Sequence, residues 1–173
     1  MILKEWLIPI IIAFILAFIV NRYIIFKIEV PTGSMIPTIN VDDRLFVKRV
    51  YNKDKLERGN ILVFNSNEDD ILLVKRLIGL PGEKISLIEG DLFVNDVLME
   101  EPYVINQMDY KKINSKDYTS EFIVPENHLL FFGDNRETSR DARFWEDPFI
   151  HVDDVIGKAG LRIYPFKDIG FIK

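Results

Sequence analysis

The chain has no cysteine, so neither a disulfide framework nor a thiolate metal site can be built, and thiols say nothing of its redox compartment. Histidine is nearly as scarce. His128 and His151 are the only two, which leaves little material for a Ser-His-Asp relay, and no Gly-x-Ser-x-Gly elbow occurs. Positive charge is not in excess: a formal net charge of -5 argues against a nucleic-acid partner, which requires clustered Lys and Arg. Internal repeats and low-complexity tracts are absent. The acidic pairs Asp42-Asp43, Asp69-Asp70 and Asp153-Asp154 are sequence neighbours, which alternate faces on a strand and rarely share an ion, so no metal site is expected. Apolar residues are not lacking. They make up 48% of the 173 positions, enough for a real core, which excludes a disordered chain.

From Trp6 to Val20 no residue is charged, and with Asn21 and Arg22 tolerated the apolar stretch reaches Phe26, about the length of a bilayer-spanning helix. A buried core helix would be amphipathic, and a cleavable signal would end in small residues where Phe18, Ile19 and Val20 stand. The segment is therefore read as an uncleaved transmembrane anchor over 6–26 within residues 1–27. Lys4 and the terminal amine on one side nearly balance Arg22 and Lys27 on the other, so charge alone leaves orientation open.

Residues 28–173 read as one mostly β domain, with antiparallel strands expected at 44–51, 61–65, 71–78, 85–88, 92–94, 121–124, 128–132 and 155–164. Ser66 to Asp70 and Glu89-Gly90-Asp91 supply hairpin connections, and Pro81-Gly82 suits the centre of a type II turn. The polar stretch 106–120 is expected as an exposed insertion.

Three places carry possible chemistry. Pro31-Thr32-Gly33-Ser34-Met35-Ile36-Pro37-Thr38 is a constrained turn just after the anchor, able to present Ser34 as a nucleophile. The Ser34 amide and Thr32 hydroxyl would then face a developing oxyanion. The same residues equally suit a plain turn linking anchor to domain. In Ile71 to Ile78, strand alternation puts Lys75 on a face with Ile71, Leu73 and Leu77, where desolvation can lower an amine pKa far enough for it to act as a base. The alternative is an edge-strand lysine snorkelling to water. In the polar run Gly133 to Arg143, Ser139 could hold the Lys75 amine while Asp141 and Arg143 pair to brace the loop; a solvated face is the competing account.

Taken together, the anchor, the serine turn, Asp43 to Lys48, Lys75 to Glu83 and Gly133 to Arg143 stand in the order found in bacterial type I signal peptidases, and nearly the whole chain resembles that family. The resemblance implies Ser34 as nucleophile, Thr32 as oxyanion partner, Lys75 as general base, Ser139 as the residue orienting it, and Asp134, Asp141 and Arg143 as structural charges. It departs from the family pattern at Glu137, Ala142, Glu126-Asn127 and Phe144-Trp145-Glu146, none of them nucleophile or base. It further implies cleavage of secretory preproteins after Ala-x-Ala through an acyl-enzyme, with no cofactor, by a catalytic domain outside the bacterial cytoplasmic membrane and an amino terminus in the cytoplasm. Substrate would lie extended along a free strand edge, with Val30, Met35 and Leu73 as pocket residues. The partners are then preproteins and the lipid bilayer. A non-catalytic, preprotein-binding member of the same fold is the alternative, disfavoured by the retained Ser34 and Lys75.

Overall fold

In the computed structural model the apolar segment forms a single helix, α1 (Ile2–Tyr23), whose described side chains from Trp6 to Tyr23 are exposed on every face. The structure describes residues 2–66, 71–104 and 120–172, with the backbone alone at 2–5. The expected insertion, apart from Ser120, and residues 67–70 of the expected 66–70 connection lie outside the described residues. The helix ends three residues earlier than the apolar run suggests, because Ile25–Glu29 is a strand, β1. Its Phe26 and Ile28 side chains are half-buried against the domain, while Lys27 and Glu29 point out. Tertiary pairing with a neighbouring strand has overridden the continuation of the helix here.

The strands that follow are β2 (Arg44–Arg49), β3 (Ile61–Asn65), β4 (Leu72–Gly79), β5 (Lys84–Ile88), β6 (Asp91–Val94), β7 (Val97–Leu98), β8 (Ser120–Ile123), β9 (His128–Phe132), β10 (Phe149–His151), β11 (Val155–Tyr164) and β12 (Gly170–Phe171). They form two antiparallel sheets. The larger runs β1-β2-β11-β3-β4-β9-β10, with β12 beside β11, and the smaller runs β7-β6-β5-β8. The type II turn is in place, with Gly82 at φ +79° and the Glu83 amide donating to the Leu80 carbonyl. Asn127 takes the left-handed backbone (φ +59°) that its side chain tolerates.

What matters for the site is that the large sheet is covered on both faces. Ile61, Leu62, Val63 and Phe64 of β3 are all buried, Leu62 and Phe64 in one apolar cluster with Leu77, Phe131 and Trp145, and Ile61 and Val63 in another with Val30, Met35, Ile39, Leu45 and Val47. β4 pairs beside β3 with Lys75 opposite Leu62 and Arg76 opposite Ile61. Consecutive side chains of β4 therefore enter opposite faces, and both Lys75 and Arg76 are buried to 3% exposure. No edge-strand snorkelling occurs. Register is steep here: a one-residue slip would exchange the two cations between faces.

Candidate active site

The serine turn and the loop 133–143 converge on β4. The serine turn leaves β1 at Val30, whose amide donates to Asp43 and whose carbonyl accepts from Asp42, so the turn is held against the start of β2. Ser34 is half-buried and Met35 fully buried beneath it. The loop 133–143, after β9, reaches across to this turn. The Asn135 amide donates to the Ser34 carbonyl (3.0 Å) and its side-chain nitrogen to the Gly33 carbonyl (3.2 Å). Gly133 sits between the two serines: a methyl group there would lie 2.2 Å from Ser139 Oγ and 2.4 Å from the Ser34 carbonyl oxygen. Only a residue without Cβ allows this approach.

The Lys75 amine donates to Ser139 Oγ at 3.2 Å, both residues being buried. Burial is the first cause that lowers its pKa, from 10.5 to about 8; the Arg143 guanidinium pushes the same way, while the Asp141 and Asp134 carboxylates push back. Asp141 does not form an ion pair with the amine. Its carboxylate is engaged by Arg143, at 2.7 Å from Nε and 2.9 Å from Nη2, and also accepts from the Gly133 amide at 2.8 Å. That pair braces the loop as expected and leaves the amine facing a hydroxyl.

Asp134 serves the other face of β4. It takes a bidentate hydrogen bond from Arg76 (2.8 and 2.7 Å) and one from Thr38 Oγ1 (2.5 Å), tying the end of the serine turn to β4 and to the loop. Arg76 also donates to the Gly59 carbonyl (2.8 Å) and stacks over the Tyr103 ring at 3.8 Å from its centroid. A second buried cation, Arg136, pairs with Glu101 at 2.5 and 2.8 Å and donates to the Gly133 carbonyl at 3.1 Å. Sequence reasoning named Asp134 without its partner Arg76, and missed Asn135, Gly133, Arg136 and Glu101. The signal available was two adjacent cations on an apolar strand, followed by a loop rich in carboxylates.

Thr32 Oγ1 lies 3.4 Å from Ser34 Oγ, on the exposed side of the turn. The three expected pocket residues differ in burial. Val30 (3% exposed) and Met35 (0%) are packed into the core under the turn, because the large sheet is covered on that face, and Leu73 alone is partly open. His128 and His151 face each other across β9 and β10 at 5.2 Å between ring centroids, and their polar partners are Glu126 and Asp153.

Residues 3–164 match the family described as "Signal peptidase, peptidase S26". Among curated relatives, signal peptidase IB of Staphylococcus aureus strain MRSA252 is 33% identical, covering 98% of this chain and 93% of its own length. The probable signal peptidase I-2 of Synechocystis is 31% identical over 92% of this chain and 72% of its own. A signal peptidase I crystal structure from Enterococcus faecalis V583 is similar at 32% identity and a TM-score of 0.49, covering 60% of this chain and 96% of that one.

Proposed function

The chain belongs to the signal peptidase S26 family, and from that premise we propose that it is a membrane-anchored serine endopeptidase that removes signal peptides from secretory preproteins through Ser34 and Lys75. The observation that carries the dyad is the buried Lys75 amine, its pKa lowered to about 8, lying 3.2 Å from the hydroxyl of Ser139, which packs against Gly133 as the Ser34 carbonyl does. An ordinary lysine is almost wholly protonated at neutral pH. With a pKa of about 8, roughly one molecule in ten carries the neutral base at pH 7, a gain of a few hundred-fold over an exposed amine.

Neutral Lys75 takes the Ser34 proton as Ser34 Oγ attacks the scissile carbonyl carbon, and the oxyanion is stabilised by the Ser34 amide and the Thr32 hydroxyl. The protonated amine then delivers its proton to the leaving amine, giving an acyl-enzyme on Ser34. Neutral Lys75 next activates the water that hydrolyses this ester. Ser139 is a positioning residue, holding the amine while the proton moves. Asp134, Asp141 and Arg143 keep the loop and the serine turn in register.

An extended substrate has two backbone edges available. β1 is paired only with β2, and the ladder between β4 and β9 begins at Arg76, so Leu72 to Val74 are unpaired on the β9 side among the described residues. Leu73 borders the substrate directly on this reading, with Val30 and Met35 shaping the floor from below. Small residues in an Ala-x-Ala pattern suit so shallow a surface. The helix α1 crosses the cytoplasmic membrane once, with the amino terminus in the cytoplasm and the catalytic domain outside, and no nucleic acid or cofactor takes part. Held there, the site meets a membrane-bound preprotein at high effective concentration.

Detergent-solubilised protein is tested on a preprotein beside Ser34→Ala and Lys75→Ala, all three checked for folding. Cleavage after the Ala-x-Ala site by the wild type and by neither variant is the expected result. Folded but inert wild type on several preproteins would hand the reading to a binding-only member of the family.

A further inference from the structure

A cleft of ≈ 380 Å³ opens where α1 meets the domain, lined by Arg22 and Tyr23 at the helix end, Arg49, Val50 and Tyr51 at the end of β2, and Asp153, Val155 and Ile156 opposite. The junction is tied in two places. The Arg49 amide donates to the Ile24 carbonyl at 2.8 Å, and the Tyr51 hydroxyl donates to the Tyr23 carbonyl at 2.6 Å, satisfying one of the carbonyls that a helix leaves open at its end. The cleft thus has walls from both the helix and the domain, fixed to one another.

Its charge is unbalanced. Among the described residues no ion pair reaches Arg22 or Arg49. The Arg49 guanidinium lies over the Phe26 ring, 4.7 Å from its centroid, with Nε shielded from solvent and no hydrogen-bond partner among the described residues. A shielded donor gains from an acceptor, and an anionic oxygen in the cleft would supply one. Lys53 nearby is already committed to the Val155 carbonyl. The one carboxylate of the lining, Asp153, is 80% exposed and stands 3.5 Å from His151 Nδ1, so it is not the acceptor for Arg49.

Position identifies the ligand class. The residues from Trp6 to Tyr23 form an apolar helix with no side chain buried against the domain, which puts Tyr23 and Arg22 at the level where bilayer headgroups lie. Guanidinium forks match phosphate oxygens, and tyrosines favour the same interfacial depth. We propose that this cleft binds the phosphodiester headgroup of a membrane phospholipid, with Arg22 and Arg49 on the phosphate and Tyr23 and Tyr51 beside the glycerol backbone. A lipid held there fixes the depth of α1. The strand β1, about 17 Å long at five residues, then sets the height of the serine turn above the bilayer. This inference rests on reading α1 as a membrane anchor.

The test uses full-length protein in non-ionic detergent, offered equal amounts of dioleoylphosphatidylglycerol and a phosphate-free diglucosyl dioleoylglycerol, with retained lipid counted by native mass spectrometry. Wild type should keep the phospholipid in preference. Arg49→Gln should weaken that retention roughly five-fold, and Arg22→Gln with Arg49→Gln roughly twenty-five-fold if the two effects add. Arg22→Gln alone alters only an exposed helix end, so its own five-fold loss stands even if the Arg49 variant folds poorly. Arg44→Gln, on the same strand but paired with Glu29, should leave retention unchanged. Equal retention of the two lipids, or of phospholipid by wild type and the double variant, overturns the proposal. So does arginine-dependent binding of millimolar inorganic phosphate without lipid preference, which would mark a free-anion site. Flotation with vesicles separates the premises: protein that fails to float refutes the anchor, whereas floating protein without phospholipid preference refutes only the lipid site.

Discussion

Replacing Lys75 by methionine should abolish cleavage and at the same time make the folded domain more stable at neutral pH. The amine is 3% exposed, and its pKa falls from 10.5 to about 8 chiefly through burial, which corresponds to about 3 kcal/mol against folding while it is protonated. Methionine has similar length and no charge to desolvate, and Asp141 stays compensated by Arg143 when the amine is gone. The change forfeits the hydrogen bond to Ser139 Oγ, worth about 1 kcal/mol. The expected net gain is therefore about 2 kcal/mol at pH 7, or roughly 4–8 °C in Tm for a domain of this size. Below pH 8 the lysine is protonated in both the folded and the unfolded chain, so the penalty is present in full. Between about pH 8 and 10.5 the folded chain has released the proton while the unfolded chain keeps it, so the wild type gains stability as pH rises. The advantage of the variant should shrink through that window and end as a deficit of about 1 kcal/mol above it, from the lost hydrogen bond. Urea unfolding of both full-length proteins in non-ionic detergent, followed by the fluorescence of core residue Trp145, measures this directly. A variant that is less stable at pH 7, or a difference that does not change with pH, would refute the assignment of Lys75 as a desolvated base.

In the proposed mechanism only the neutral amine accepts the Ser34 proton, so kcat/KM on a preprotein peptide should rise about ten-fold per pH unit below pH 8 and level off above it; a flat profile from pH 6 to 9 would contradict it. Gly133→Ala should lower kcat on the order of a hundred-fold, because its methyl group displaces Ser139 Oγ or the Ser34 carbonyl, and the loss should appear in single-turnover rates with the fold intact by circular dichroism. Asp134→Asn leaves Arg76 buried beside a neutral partner and should destabilise the domain by about 3–5 kcal/mol in the same urea assay. Arg76→Met with Asp134→Leu should recover part of that loss by removing both charges.

The candidate site lay in short local motifs, and the tertiary scaffold around it did not. Ser34 on its Pro-Gly turn, Lys75 on an apolar strand, and Ser139, Asp141 and Arg143 in one loop are each readable from a few neighbouring residues, and the structure brings Lys75 to Ser139 and Asp141 to Arg143. Strands bounded by turn residues, such as Ile61–Asn65, His128–Phe132 and Val155–Tyr164, were legible for the same reason. β1 was not, because Ile24, Ile25 and Phe26 extend the apolar run of α1 without a turn residue, and only pairing with β2 makes them strand. β10 and β12 are likewise two or three residues defined by partners elsewhere in the chain. The Arg76–Asp134 pair is 58 positions apart and makes sense only once the large sheet is covered on both faces. That covering also places Val30 and Met35 in the core beneath the serine turn. A pattern of period two tells which residues share a face, but not whether water or a second apolar layer lies against it. In this fold the second layer is the serine turn itself, through Met35 and Ile39, so the support of Ser34 and the core of the large sheet are the same set of contacts. Substitutions that loosen this cluster should therefore reach activity and stability together, whereas a change in the loop 133–143 that spares its pair with Arg76, such as Gly133→Ala, should reach activity with less effect on the core.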